Sequence, residues 1–165
     1  MRVKTVVYED FTNYKVPGMF VFMPTCTGKC CLEQGIPFTV CQNNPWNSRP
    51  VKTIDDDRLC RKYLSNVITK AVIFGGLEPL DSIGEVCGFM KTLRNEYHCD
   101  DTIVIYTGYT ERECEEHQWM SRLANSASKN LIVKFGRYIP GENPHFDEVL
   151  GVNLASDNQY AKIIV

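Results

Sequence analysis

Four of this chain's eight cysteines fall between positions 26 and 41, and that clustering constrains its structure more than any other feature. The segment reads Cys26-Thr-Gly-Lys-Cys30-Cys31; the stretch from Cys31 runs on to Val40, and Cys41-Gln-Asn43 follows. Met1 to Asp10 lacks the apolar stretch of a signal peptide, and no apolar run reaches the ~18 residues of a membrane span. A cytoplasmic location is therefore expected. Thiols stay reduced there, so clustered cysteines point to metal binding or catalysis rather than to disulfides. A net charge of -2 gives no basic excess for nucleic acid.

The 165 residues, 44% of them apolar, suit one domain with its own core. Apolar runs predict strands at Val3–Tyr8, Met19–Met23, Ala71–Phe74, Thr102–Tyr106 and Leu131–Phe135, with a last one at Tyr160–Val165. Helical spacing predicts helices over Asp55–Lys70, Leu80–Tyr97 and Glu111–Ala124. Residues 24–53 read as one long irregular loop punctuated by glycine and proline; loops of that length are usually functional. Alternating strands and helices indicate an α/β fold of parallel units, too short for the ~250 residues of an eight-fold barrel. An open, partial barrel or a doubly wound sheet remains. In both, ligands sit at the carboxyl ends of the strands. That rule brings the cysteine loop, Gly75–Pro79 and Thr107–Tyr109 to the same end.

Three thiolates leave one iron of a 4Fe-4S cluster free for another ligand. The alternative is a structural zinc site using Cys26, Cys30 or Cys31, Cys41 and a fourth donor, although no second close cysteine pair completes it. Cys31 competes with Cys30 as a ligand. Ile73-Phe-Gly75-Gly76-Leu-Glu78-Pro79 follows a strand and opens a helix; its glycines allow close backbone approach, and Glu78 is placed to pair with an ammonium group. Cys60 and Cys87 fall on apolar helix faces, Cys99 and Cys114 have no partner by spacing, and His98, His117 and His145 read as surface residues. Asp55–Asp57 read as a helix-start charge cluster, and Trp46 as an anchor of the loop.

The cysteine loop resembles a stretched radical S-adenosylmethionine (SAM) signature, Cys-x3-Cys-x2-Cys, with Cys26 and Cys30 at the first spacing and Cys41 displaced by an insertion. Cys41-Gln-Asn43 is similar to the Cys-x-Asn of glycyl-radical activating enzymes. The Gly75-Gly76-Leu-Glu78-Pro79 turn is similar to the Gly-Gly-Glu-Pro motif, with Leu77 as an extra residue. Tyr106-Thr107-Gly108-Tyr109, Gly136-Arg137-Tyr138 and Ala155-Ser156-Asp-Asn158-Gln159 resemble segments of the activating protein of anaerobic ribonucleoside-triphosphate reductase.

That resemblance implies a single radical SAM domain over 1–165, a short open partial (β/α) barrel with its cluster loop at 24–53. It implies a 4Fe-4S cluster on Cys26, Cys30 and Cys41, and SAM held by Gly75, Gly76 and Glu78 with Asn43, Tyr106 and Gly108 nearby. The implied reaction is reductive cleavage of SAM to methionine and a 5′-deoxyadenosyl radical, which takes a hydrogen atom from a glycine Cα. The implied partners are the large catalytic subunit of the reductase and an electron donor such as flavodoxin or ferredoxin, with no nucleic acid and no membrane.

Overall fold

The apolar runs and the helical repeats build one sheet with its helices on one side. The computed structural model describes residues 1–165. The chain starts with β1 (Arg2–Val3) and β2 (Thr5–Asp10), then β3 (Gly18–Phe22). The segment read as irregular holds two short helices, α1 (Lys29–Gln34) and α2 (Asn44–Asn47), a 3-10 turn at Phe38–Val40, and β4 (Lys52–Thr53), which pairs with β1. Next come α3 (Asp56–Leu64), β5 (Ala71–Gly75), α4 (Ile83–Lys91), β6 (Thr102–Tyr106), α5 (Glu111–Glu116), α6 (Trp119–Ala127) and β7 (Leu131–Phe135). A small hairpin of β8 (His145–Asp147) and β9 (Val152–Leu154), absent from the sequence reading, precedes β10 (Tyr160–Ile163).

The six-stranded sheet has the order β10-β7-β6-β5-β3-β2. β3, β5, β6 and β7 are parallel and lie in chain order, while β2 and β10 pair antiparallel at the two edges. The sheet is therefore mixed, and it stays open. A doubly wound sheet reverses its strand order and carries helices on both faces; here neither occurs.

Period-2 alternation divides the parallel strands between two cores. Met19, Val21, Val72, Phe74, Ile103, Ile105, Val133 and Phe135 pack with Leu59, Tyr63, Val86, Phe89 and Leu123 of the helices. Phe20, Ile73, Val104 and Ile132 face the other way, against Tyr14, Leu150 and Leu154. The second face is thus covered by loops and the small hairpin.

Three helix boundaries differ from the spacing-based reading. α3 stops at Leu64 because the chain turns at Ser65 and Asn66, whose side chain accepts from the Ile68 amide; Val67 and Ile68 are left exposed on the way to β5. The expected Glu111–Ala124 helix divides at Gln118, which adopts φ +56°, and Trp119 then packs edge-on to Tyr109 and stacks on His117. α4 runs into a π-helical turn at Thr92–Glu96. That turn carries Arg94, buried and donating to the carbonyls of Ala127, Cys99 and Lys129.

Arg94 joins the turn after α4 to the end of α6 through the carbonyls of Ala127, Cys99 and Lys129. We expect Arg94→Met to cost about 3 kcal/mol, because three charge-assisted hydrogen bonds are lost and the buried Cys99 carbonyl loses its donor. Urea denaturation measures this, and a loss below about 1 kcal/mol contradicts it.

Candidate iron–sulfur site

The parallel register sets where the site forms. β3, β5 and β6 end at one edge of the sheet, so the loops after Phe22, Gly75 and Tyr106 meet there. Backbone bonds stitch them together: Met23 N–H to the Gly75 carbonyl at 3.0 Å, and Glu78 N–H to the Thr25 carbonyl at 3.1 Å. A cavity of about 720 Å³ opens at this edge, lined by Cys26, Cys30, Cys31, Cys41, Glu78 and Gly108 at one end. Asn43, Gly76 and Tyr106 also line it, whereas Gly75 lies fully buried behind it. The same cavity extends over the loop-covered face of the sheet, past Asn13, Lys134, Asn153 and Gln159.

Glycine shapes the cysteine loop. Gly28 and Gly35 bracket α1 with φ of +71° and +63°, so the helix is six residues long and turns sharply at both ends. A β-carbon at Gly28 would strike the Phe38 ring. At Gly108 a β-carbon would lie 2.4 Å from Cys30 Sγ, so only glycine lets that thiol sit against the loop after β6. At Gly76, with φ +76°, a side chain would run into Phe22. The glycine turn after β5 thus answers first to the packing of Phe22 beneath it.

Two carboxylates hold the loops in register. Glu78, 7% exposed, accepts from Leu80 N–H at 3.0 Å and Thr107 Oγ1–H at 2.7 Å on Oε1, and from Gly108 N–H at 2.9 Å on Oε2. Asp81 accepts from Thr27 N–H at 2.7 Å and from the Tyr109 hydroxyl at 2.8 Å, so it ties the Cys26–Cys30 turn to the loop after β6. A third tie joins α1 to the far side of the site. Arg137 donates both terminal nitrogens to Glu113 at 2.8 Å and pairs with Glu33 of α1, while Lys29 of α1 also reaches Glu113. Glu113 completes the capping box that starts α5. The Arg137 guanidinium holds its carboxyl well below the usual range.

Burial pushes Cys26 up to about 11 and Cys30 up to about 12, so both carry their proton at neutral pH; a metal must displace it to bind. Cys31, 5% exposed, is raised by burial too. The thiols do not converge on a single-ion centre. A tetrahedral zinc site requires such convergence at about 2.3 Å per thiolate. The ligands of a four-iron cluster each hold a different iron and stand apart, which suits thiols spread around one cavity. The donor set and the Gly108 cradle at Cys30 fit such a cluster.

Cys60, Cys87, Cys99 and Cys114 are all buried away from this cavity. His98 and His117 are exposed and His145 is half-buried. Trp46 lies outside the cavity and packs on Phe22 with ring centroids 4.5 Å apart, an anchor for the loop. The sequence reading brought Thr107 to this end without giving it a role, and it missed Asp81 and Lys134. The signal for Lys134 was a lysine inside the apolar run Leu131–Phe135; it lies 6% exposed in the cavity wall.

An open α/β sheet with cysteines gathered at the carboxyl ends of its parallel strands defines an iron–sulfur domain. The family comparison agrees: residues 18–142 match the 4Fe-4S single cluster domain, and the chain belongs to that family. No curated protein and no solved structure matches it. No helix is long and apolar enough to cross a membrane.

Glu78 makes this site's pH dependence testable. Burial raises its carboxyl from 4.5 to about 7, offset in part by its hydrogen bonds. A carboxyl raised by folding leaves its stability intact below the unfolded value and loses it as pH climbs through the folded one. In cluster-free protein, wild type should therefore lose about 3 kcal/mol relative to Glu78→Gln between about pH 4 and pH 8. Paired urea titrations across that range check it; a flat difference would show the carboxyl is not buried as described.

Proposed function

We propose that this chain is a radical SAM activating enzyme, which cleaves SAM reductively at a 4Fe-4S cluster and so generates a glycyl radical on anaerobic ribonucleoside-triphosphate reductase. Cys26, Cys30 and Cys41 hold the cluster in this reading. The observation that carries it is the meeting of three separate loops, those of Cys26–Cys41, Gly75–Glu78 and Tyr106–Gly108, around one cavity. When bound, the cluster supplies one electron and an open iron position.

The chain's own residues receive and orient the cofactor. A carboxylate offers four lone-pair sites, two on each oxygen. Leu80 and Thr107 fill both on Glu78 Oε1, and Gly108 fills one on Oε2. The remaining Oε2 site accepts the ammonium group of SAM, with Gly75 and Gly76 keeping the backbone close. Asn43, Tyr106 and Gly108 wall the cavity. Tyr106 is held in place by its hydroxyl, which donates to the Asn13 carbonyl at 2.5 Å. The open sheet leaves room for a glycine-bearing loop of the large reductase subunit, and flavodoxin or ferredoxin serves as electron donor.

A second reading, a radical SAM enzyme acting on a small molecule, draws support from the polar far end of the cavity at Asn13, Asn153 and Gln159. A third reading, a non-enzymatic zinc- or cluster-binding interaction module, leaves Glu78 and the glycine turn with a structural role alone.

Anaerobic reconstitution with iron and sulfide, reduction and addition of SAM tests the proposal. We expect a shift in the cluster's EPR signal and release of 5′-deoxyadenosine. Cys41→Ala should abolish release and Cys31→Ala should largely spare it; equal loss overturns the ligand assignment. A glycyl-radical EPR doublet on mixing with the reductase separates the first reading from the second. A zinc protein indifferent to SAM removes both.

A further inference from the structure

Lys134 is the one buried cation of the cavity that the proposed chemistry leaves without a task. It sits at the end of β7, directed to the loop-covered face with Ile132, and it is 6% exposed. Its ammonium has three donors. One goes to the Gly136 carbonyl at 2.8 Å, an acceptor shared with the Gln159 amide. The ion pairs of the site are made by Lys29 and Arg137 instead. Lys134 shares the cavity lining with Glu78, Glu142 and the four clustered cysteines, and Glu78 and Cys30 are the groups whose charge acts on it. Glu78 already spends three of its four acceptor sites on Leu80, Thr107 and Gly108. Cys30 is half-buried, and its Sγ rests against Gly108.

A buried ammonium without an ion pair is costly unless an anion arrives to match it. Three deprotonated thiolates around a four-iron cluster bring that anion, and their net negative charge grows by one when the cluster takes up an electron. We propose that Lys134 is the cluster's buried counter-cation, and that its charge sets how readily the cluster is reduced. A fixed positive charge in a low-dielectric wall favours the more negative, reduced state and so raises the midpoint potential. Reduction here adds one electron from a one-electron donor, and no bond forms or breaks.

Arg137 provides the internal contrast. It also faces Cys30, yet Glu113 and Glu33 neutralise it. Removing its charge together with that of its bidentate partner, in the double change Arg137→Gln with Glu113→Gln, should move the potential little. The inference rests on the cluster and on Cys30 as a ligand, and SAM cleavage is not required for it.

The test is a redox titration of the reconstituted, cluster-loaded protein without SAM, followed by EPR. Lys134→Met and Lys134→Gln should lower the potential so that the oxidised-to-reduced ratio at fixed solution potential rises at least tenfold, about 59 mV for one electron. Lys134→Arg and the Arg137→Gln, Glu113→Gln double variant should stay within threefold of wild type. Lys134→Gln keeps a donor for the Gly136 carbonyl, so it carries the test if the methionine variant does not fold. The inference is overturned if Lys134→Gln titrates like wild type, or if Lys134→Arg shifts as far as Lys134→Met. It is also overturned if the potentials hold but SAM affinity collapses, since the lysine then serves the ligand. Loss of SAM cleavage in wild type, with the potential shift intact, sinks the proposed reaction and leaves the counter-cation standing.

Discussion

Glu78 is the fixed point around which the cavity end of this molecule is organised. Its carboxylate takes donors from its own turn and from the loop after β6, while its backbone N–H binds the loop after β3. A buried carboxylate with fewer donors is expensive, and its neighbours are held by that penalty as much as by attraction. Thr107, Gly108 and Leu80 cannot drift without leaving a buried carboxyl short of partners. The cysteine loop inherits this order through Thr25 and Thr27, whose backbone groups are tied to Glu78 and Asp81.

The parallel strands make such a node possible. Because β3, β5, β6 and β7 run in chain order, successive loops land side by side at one edge, and every crossover helix falls on the same face. The opposite face then needs a different cover. Tyr14, Leu150 and Leu154 supply it from loops and a short hairpin, and between that cover and the sheet lies the extension of the cavity. One-sided winding thus produces both the edge that gathers cysteines and the shelf that reaches away from them.

Much of this was legible in the sequence. Runs such as Ile103–Tyr106 and Leu131–Phe135 are buried strands with little polar interruption, and their alternation with helices indicated parallel units, though not the strand order or the antiparallel edges. The convergence of three loops followed from the strand-end rule. What escaped has physical causes. The β8–β9 hairpin is built from three-residue strands, too short for a period to register. The division of α5 from α6 depends on one left-handed residue, Gln118, of a type that rarely adopts that backbone. Asp81 carries no signal of its own until the fold brings Thr27 and Tyr109 to it. The long loop looked irregular because α1 and α2 are six and four residues long, and the glycines that bracket α1 also read as breakers.

Phe38 bears on the unusual distance between Cys30 and Cys41. Lengthening a flexible connection from two residues to ten raises its closure cost by only about 1.4 kcal/mol, since that cost grows with the logarithm of length. The Phe38 ring occupies the slot left by the missing side chain at Gly28. A contact of that kind lies within the scale of one partly buried aromatic, comparable to the entropy it offsets. Cys41 is therefore kept on a long tether with a short leash: ten residues separate it from Cys30, while the aromatic plug returns that segment to the turn it left.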